Sequence, residues 1–154
     1  MSANDAAFLD LTGRVFSDKL IRGKPNNSAG CLLDEAVPPG SPVINISSKA
    51  SVRPTPWTVV YAAAKAGQNA LTKAAAAEFG PKGVRVNAMV CGMLRTDSLR
   101  QALTTTEAER RIASQLSLGR IAGPEEIVET ALYLDGDASS YLTGELIMLD
   151  RGGS

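Results

Sequence analysis

Two short apolar runs on either side of a long helix-forming stretch constrain this fold more than any other feature. Residues 43–47 are nearly continuously β-branched, which is typical of a strand buried on both faces. Residues 59–79 are strong helix formers and are followed by Gly80-Pro81, a common helix stop. Residues 84–90 alternate and predict a second strand. This order predicts a parallel strand pair joined by a crossover helix.

Further elements are predicted beyond this unit. Thr106 and Glu109 match a capping box, and Pro124 suits the first position of another helix. Residues 145–149 predict a last strand. The alternation predicts an α/β fold, a Rossmann-like parallel sheet with flanking helices, over residues 42–154. Residues 1–41 form a poorly assigned N-terminal segment.

Composition excludes several kinds of site and partner. The chain has no histidine, which excludes Ser-His, Cys-His and His-metal sites built from this chain alone. Its 16 basic and 16 acidic residues cancel, so we expect neither nucleic acid nor a membrane as partner. We also expect no membrane span, no signal peptide and a cytoplasmic location. Cys31 and Cys91 lack paired spacing and predict reduced thiols rather than a disulfide or redox pair.

Chemistry-bearing residues fall at the predicted carboxyl ends of the strands, where parallel sheets bind ligands. Ser48 ends the first strand, and Gly92 follows the second. Tyr61 and Lys65 are four residues apart on the helix between them, so they share a face. An ammonium beside a phenol favours the phenolate, which is a recognisable acid/base device. A nearby serine hydroxyl could hold a carbonyl or alcohol oxygen.

These motifs resemble the C-terminal half of a short-chain dehydrogenase/reductase. The resemblance covers residues 42–154 and rests on several motifs in order: Val-Ile-Asn-Ile-Ser-Ser at 43–48, Tyr-Ala-Ala-Ala-Lys-Ala at 61–66, Val-Arg-Val-Asn-Ala at 84–88, Leu-Gly-Arg at 118–120, Gly-Pro-Glu-Glu-Ile at 123–127, Tyr-Leu-Thr-Gly at 141–144 and Leu-Asp-Arg-Gly-Gly at 149–153.

The resemblance implies an NAD(P)-dependent reaction between a small-molecule carbonyl and a secondary alcohol. Tyr61 would donate or accept the proton, and Ser48 would position the substrate oxygen. Lys65 would bind the nicotinamide ribose and activate the tyrosine. Gly92 and Thr96 would contact the cofactor, while Cys91 replaces the proline that the family usually has before that glycine.

The N-terminal side departs from the family. The chain lacks the glycine-rich first βαβ unit on which a dinucleotide pyrophosphate rests, and no residue chooses between NAD and NADP. Residues 8–15 resemble either the family's first-strand lead-in or the helix before the serine strand, where Asp10 would replace a catalytic asparagine. Residues 26–30 predict an ordinary polar turn.

The 59–79 helix also bears on partners. Its polar side chains gather on one arc of a helical wheel, and alanines fill much of the rest. The alanine arc predicts either plain packing on the sheet or self-association, since the family commonly oligomerises through this helix. We therefore expect a homo-oligomer.

Three functions are compatible with these features. The first is an NAD(P)-dependent oxidoreductase whose stand-alone activity is doubtful, because the cofactor half is missing or shortened. The second is a truncated, non-catalytic family member that associates with itself or with an intact homologue. The third is a small-molecule binding module that uses the cleft between Ser48 and Tyr61 without redox chemistry.

Overall fold

A computed structural model describes residues 8–9, 15–16, 37–103 and 105–150 of the chain. Short 3-10 turns lie next to several of the helices and strands. The named elements, in chain order, are β1 (Phe8–Leu9), β2 (Val15–Phe16), β3 (Pro42–Ser48), α1 (Val59–Phe79), β4 (Arg85–Cys91), α2 (Asp97–Ala102), α3 (Thr106–Ala113), α4 (Val128–Asp135) and β5 (Leu146–Leu149).

The central sheet confirms the predicted topology. Its three strands are parallel and stand in the order β3-β4-β5, with α1 connecting the first two. The predicted bounds of α1 are confirmed to the residue, and β3 and β4 lie within one residue of prediction. The chain reverses after α1 at Gly83, which has a φ of 76°, rather than at Gly80.

Strands β1 and β2 form a separate antiparallel pair in which Phe8 is opposite Phe16. At Phe8, Leu9 and Val15 the helix interpretation of residues 8–15 is therefore wrong. The predicted turn at residues 26–30 lies outside the described residues.

Apolar clusters cover both faces of the sheet. One cluster joins Val43 and Val86 to the last two turns of α1 through Ala75 and Phe79. The other cluster packs sheet residues such as Met89 against α4. Strand β4 is therefore buried almost throughout, instead of alternating as predicted, because it is the central strand and is covered on both sides.

Strand β4 is also tied to the end of α4 by a charged side chain. The Arg85 guanidinium donates to the carbonyl oxygens of Leu134 at 2.7 Å and Asp135 at 3.0 Å, and to Ser139 Oγ at 2.7 Å. These carbonyls lack partners within the helix, so the arginine completes its last turn.

Two local predictions need correction. Helix α3 is capped by Thr105, whose Oγ1 accepts from Ala108 N at 3.2 Å, and not by Thr106. Helix α2 was not predicted, because its six residues are too few to show a helical period. The predicted helix start at Pro124 is confirmed as a 3-10 turn that leads into α4.

The buried face of α1 is polar in its middle turns, between Ala62 and the apolar Ala75, Ala76 and Phe79. Gln68, Asn69 and Thr72 lie against the sheet at 6%, 6% and 0% exposure. The alternative in which the alanine arc packs on the sheet is wrong for most of its length. A face of valine and small residues is exposed instead, comprising Val60, Ala63, Ala64, Gly67, Ala70, Ala74 and Ala77. Among the described residues, no helix has the length and apolarity needed to cross a bilayer.

Candidate active site

The carboxyl ends of the three parallel strands line up in one row. Ser48 pairs in register with Cys91, and Cys91 pairs with Leu149. Gly92 follows directly and donates its N–H to Leu149 O at 2.9 Å. The structure thus brings the predicted serine and the predicted glycine to the same edge of the sheet.

Ser48 lies where β3 ends and a 3-10 turn begins. Its Oγ accepts from Ala50 N at 3.2 Å, and its carbonyl accepts from Ser51 Oγ at 2.6 Å. Ser51 Oγ in turn accepts from Asn69 Nδ2 of α1 at 2.7 Å. The hydroxyl of Ser48 keeps its own proton for donation, and the serine end of β3 is fastened to α1.

Lys65 makes the second connection between α1 and the end of β3. Its Nζ donates to Ile46 O at 2.7 Å and to Gln68 Oε1 at 3.0 Å. The same Nζ lies 6.0 Å from the centroid of the Tyr61 ring, which is within reach of a cation–π attraction. Tyr61 is 51% exposed, so the phenol faces accessible space beside a fixed ammonium.

The environment of Lys65 disfavours its charged form. Burial lowers the pKa of the Lys65 ammonium, and the Cys91 thiolate would act in the opposite direction. Burial likewise raises the pKa of the Cys91 thiol, with Lys65 opposing. Cys91 is therefore a neutral buried thiol near neutral pH. Cys31 lies outside the described residues.

Gly92 is required by close packing of the chain. A Cβ at this position would lie 2.9 Å from Asp150 Cα, which is closer than real Cβ atoms approach. Asp150 also forms a 2.9 Å ion pair with Lys49, the residue after Ser48. This ion pair joins the exits of β3 and β5 above the end of β4.

Thr96 has a structural role in the fold. It caps α2, and its Oγ1 accepts from Leu99 N at 3.4 Å. Capping uses the hydroxyl as an acceptor, so its proton remains for another contact.

Sequence analysis missed Gln68, Ser51 and the Lys49–Asp150 pair. Gln68 had a visible signal, since it follows Tyr61 and Lys65 at seven and three residues on the same helical face. The ion pair had none, because 101 positions separate its partners in the sequence. In the part of the chain that the structure describes, no three His, Cys, Asp or Glu residues group to hold a metal.

Comparison with known proteins supports the sequence motifs. A family model described as enoyl-(acyl carrier protein) reductase matches residues 29–154. The 3-oxoacyl-[acyl-carrier-protein] reductase of Chlamydia trachomatis is 40% identical over 110 residues, covering 71% of this chain and 44% of that protein. A short chain dehydrogenase/reductase of Aspergillus oryzae is 43% identical over 116 residues, covering 73% and 44%.

Solved structures share the fold. A short chain oxidoreductase from Pseudomonas aeruginosa, solved with NADPH and described as containing an atypical catalytic centre, matches with a TM-score of 0.70 and 30% identity. The match covers 82% of this chain and 50% of that one. The chain therefore spans about half the length of the proteins that it matches.

Proposed function

The chain belongs to the short-chain dehydrogenase/reductase family, and we propose that Ser48, Tyr61 and Lys65 form its site for interconverting a carbonyl compound and a secondary alcohol. The observation that carries the proposal is the 2.7 Å bond from Lys65 Nζ to Ile46 O. This bond fastens the helix that bears Tyr61 to the end of the strand that bears Ser48.

Each side chain has a separate task in the proposed reaction. Tyr61 donates its hydroxyl proton to the carbonyl oxygen in reduction and accepts it in oxidation. Ser48 donates its free proton to the same oxygen and orients it. Lys65 stabilises negative charge on the phenol oxygen through its fixed ammonium.

The residues of this chain fit one end of the cofactor. NAD(P), when bound, supplies or accepts the hydride. Lys65 uses two of its three N–H groups inside the protein, and the third would be available to hold a nicotinamide ribose. Gly92 and Thr96 lie beyond the end of β4, where they would contact the cofactor. The chain has no glycine-rich turn for the pyrophosphate, so we propose weak binding of NAD or NADP.

The direct test compares wild type with Tyr61→Phe. The assay follows NADH or NADPH absorbance with a small 3-oxo ester, chosen because the Chlamydia relative is a 3-oxoacyl reductase. Phe keeps the ring and removes only the hydroxyl, so we expect turnover to fall about 100-fold or more.

Tyr133→Phe is the matched control, since Tyr133 is similarly exposed at 45% and lies on α4. It should retain wild-type turnover. Turnover by Tyr61→Phe within about threefold of wild type would remove Tyr61 from the mechanism.

A second candidate function is association without catalysis. The exposed face of α1 favours it, because Val59 and Val60 are 64% and 83% exposed and small residues continue along the helix. Such a surface lets another helix approach closely. The partner would be a second copy of this chain or an intact homologue.

A further inference from the structure

The Lys65 ammonium is held by two oxygen atoms of different kinds. One is the backbone carbonyl of Ile46, which any residue at position 46 would supply. The other is the side-chain carbonyl of Gln68, one helical turn after Lys65. An ammonium on a flexible four-carbon stem has three donors and takes its direction from its acceptors. Only the second acceptor therefore depends on the identity of a side chain.

Gln68 is itself deeply placed. It is 6% exposed, and its Nε2 has no hydrogen-bond partner among the described residues. Buried amide groups rarely remain unpaired, because the lost hydration is not otherwise recovered. We therefore expect Nε2 of Gln68 to have a hydrogen-bond partner on the sheet.

The register between β3 and α1 indicates that partner. Asn45 bonds to Thr72, and Val43, two residues earlier, shares an apolar cluster with Ala75, Ala76 and Phe79. Each two-residue step toward the end of β3 therefore moves about one turn back along α1. The next residue on the same face of β3 is Ser47, which falls opposite the turn that carries Gln68. Ser47 is 3% exposed, and its Oγ also lacks a partner among the described residues.

We propose that Gln68 is the positioning residue for Lys65, and that Ser47 holds the other end of the Gln68 amide through one buried water. Nε2 donates to that water and the water donates to Ser47 Oγ, which leaves Oε1 facing the ammonium. Lys65 then has one N–H directed toward the Tyr61 side of the site. This inference rests on the proposed function for its purpose, although the positioning itself is independent of turnover.

The test is a pair of substitutions with opposite effects on the ammonium. Gln68→Met keeps the length of the side chain and removes the acceptor. Gln68→Glu keeps the acceptor and gives it a negative charge. The readout is NMR titration of ε-13C-labelled lysine, with the Lys65 signal assigned by Lys65→Arg.

We expect the acid dissociation constant of Lys65 to rise at least about threefold in Gln68→Met and to fall at least about threefold in Gln68→Glu. A purely structural role would move both variants in the same direction. Lys73 lies two turns away on the exposed side of α1 and serves as the reference lysine for a measurement of proton exchange in the wild type. An unchanged Lys65 titration in both variants would overturn the proposal.

Ser47→Ala and a wild-type measurement complete the design. Ser47→Ala should shift Lys65 in the same direction as Gln68→Met and by less. In the wild type, the 15N-labelled ammonium of Lys65 should exchange its protons with water at least about tenfold more slowly than that of Lys73. Equal exchange rates would contradict the positioning even if the variants failed to fold.

These measurements separate the two proposals. If Tyr61→Phe leaves turnover intact while Lys65 shifts as expected, the catalytic assignment fails and the positioning stands. If Tyr61→Phe abolishes turnover while Lys65 does not respond to Gln68, the positioning fails and the catalytic assignment stands.

Discussion

Asn45 Nδ2 donates a fully internal hydrogen bond of 2.8 Å to Thr72 Oγ1, joining the strand that carries Ser48 to the helix that carries Tyr61 and Lys65. Thr72 Oγ1 in turn donates a hydrogen bond to the backbone carbonyl of Gln68 at 2.9 Å. Asn45 and Thr72 are both buried, at 9% and 0% exposure. The hydrogen bond between them joins α1 to β3 one helical turn away from Gln68.

Replacing Thr72 by valine should destabilise the protein. Valine fills nearly the same volume but leaves Asn45 Nδ2 buried without an acceptor, which costs about 1–3 kcal/mol of unfolding free energy. Urea unfolding followed by circular dichroism measures the change. Thr72→Ser keeps the hydroxyl, so its free energy of unfolding should fall clearly less than that of Thr72→Val. Equal losses in the two variants would assign the effect to the methyl group instead of the hydrogen bond.

The isolated chain should bind NADH and NADPH weakly. The glycine-rich turn of a dinucleotide site contributes several charge-assisted amide contacts, each worth about 1.5–3 kcal/mol. Losing two of them weakens a micromolar site by about two to four decades, to the millimolar range or beyond. Trp57 precedes Tyr61 and is 94% exposed, so quenching of its fluorescence reports binding.

Two controls accompany that titration. A free tryptophan amide corrects for light absorbed by the cofactor, and Lys65→Gln should weaken any remaining saturable binding. A micromolar midpoint would show that the chain holds the pyrophosphate by other groups, and would contradict the expected weakness.

Self-association should depend on the exposed small-residue face of α1. Ala70→Glu places a charge at the middle of that face, where a docked helix would have to bury it without a partner. We expect wild type to sediment as dimers or larger species at micromolar concentration and Ala70→Glu to shift toward the monomer. Ala138→Glu, an exposed alanine in the turn after α4, is the matched control. A monomeric wild type would reject this interface.

The Glu126 carboxyl, which is paired with Arg120, should titrate far below the ordinary range of a carboxyl group. The two terminal guanidinium nitrogens of Arg120, Nη1 and Nη2, each donate to one carboxylate oxygen of Glu126 at 2.6 Å, and Gly123 N donates to Glu126 Oε2 at 2.9 Å. The hydrogen bond from Arg120, then that from Gly123, lowers the pKa of Glu126 from 4.5 to about 2.

A lowered folded-state pKa means that the pair contributes stability above the carboxyl's ordinary pKa and loses it as pH falls toward about 2. Because the pair is exposed, that contribution is small, and the titration itself is the sharper measurement. Carboxyl 13C NMR should find the Glu126 pKa lowered in wild type and raised toward its ordinary value in Arg120→Gln. An unaltered Glu126 titration in Arg120→Gln would contradict the pairing.

Most of the helices and strands could be predicted from local sequence patterns. The β-branched run before Ser48, the helix formers up to Phe79 and the turn residues after them each act within a few neighbours, so the sequence was sufficient to predict them. The same holds for the joint position of Ser48 and Gly92, since parallel strands end at one edge of a sheet. Helix α2 was not predicted, because six residues are too few to show a helical period. The cap of α3 was assigned to Thr106 instead of Thr105, because adjacent threonines are equally able to cap a helix.

The sequence by itself determined that this chain makes a strand–helix–strand unit with Ser48, Tyr61 and Lys65 close to one edge. Only the tertiary structure decided which face of α1 is buried. Burying alanine methyl groups removes little apolar area, whereas Asn45 and Ser51 offer hydrogen bonds to Thr72 and Asn69. Those polar contacts turn Gln68 inward to Lys65 and leave most of the alanines of α1 facing outward.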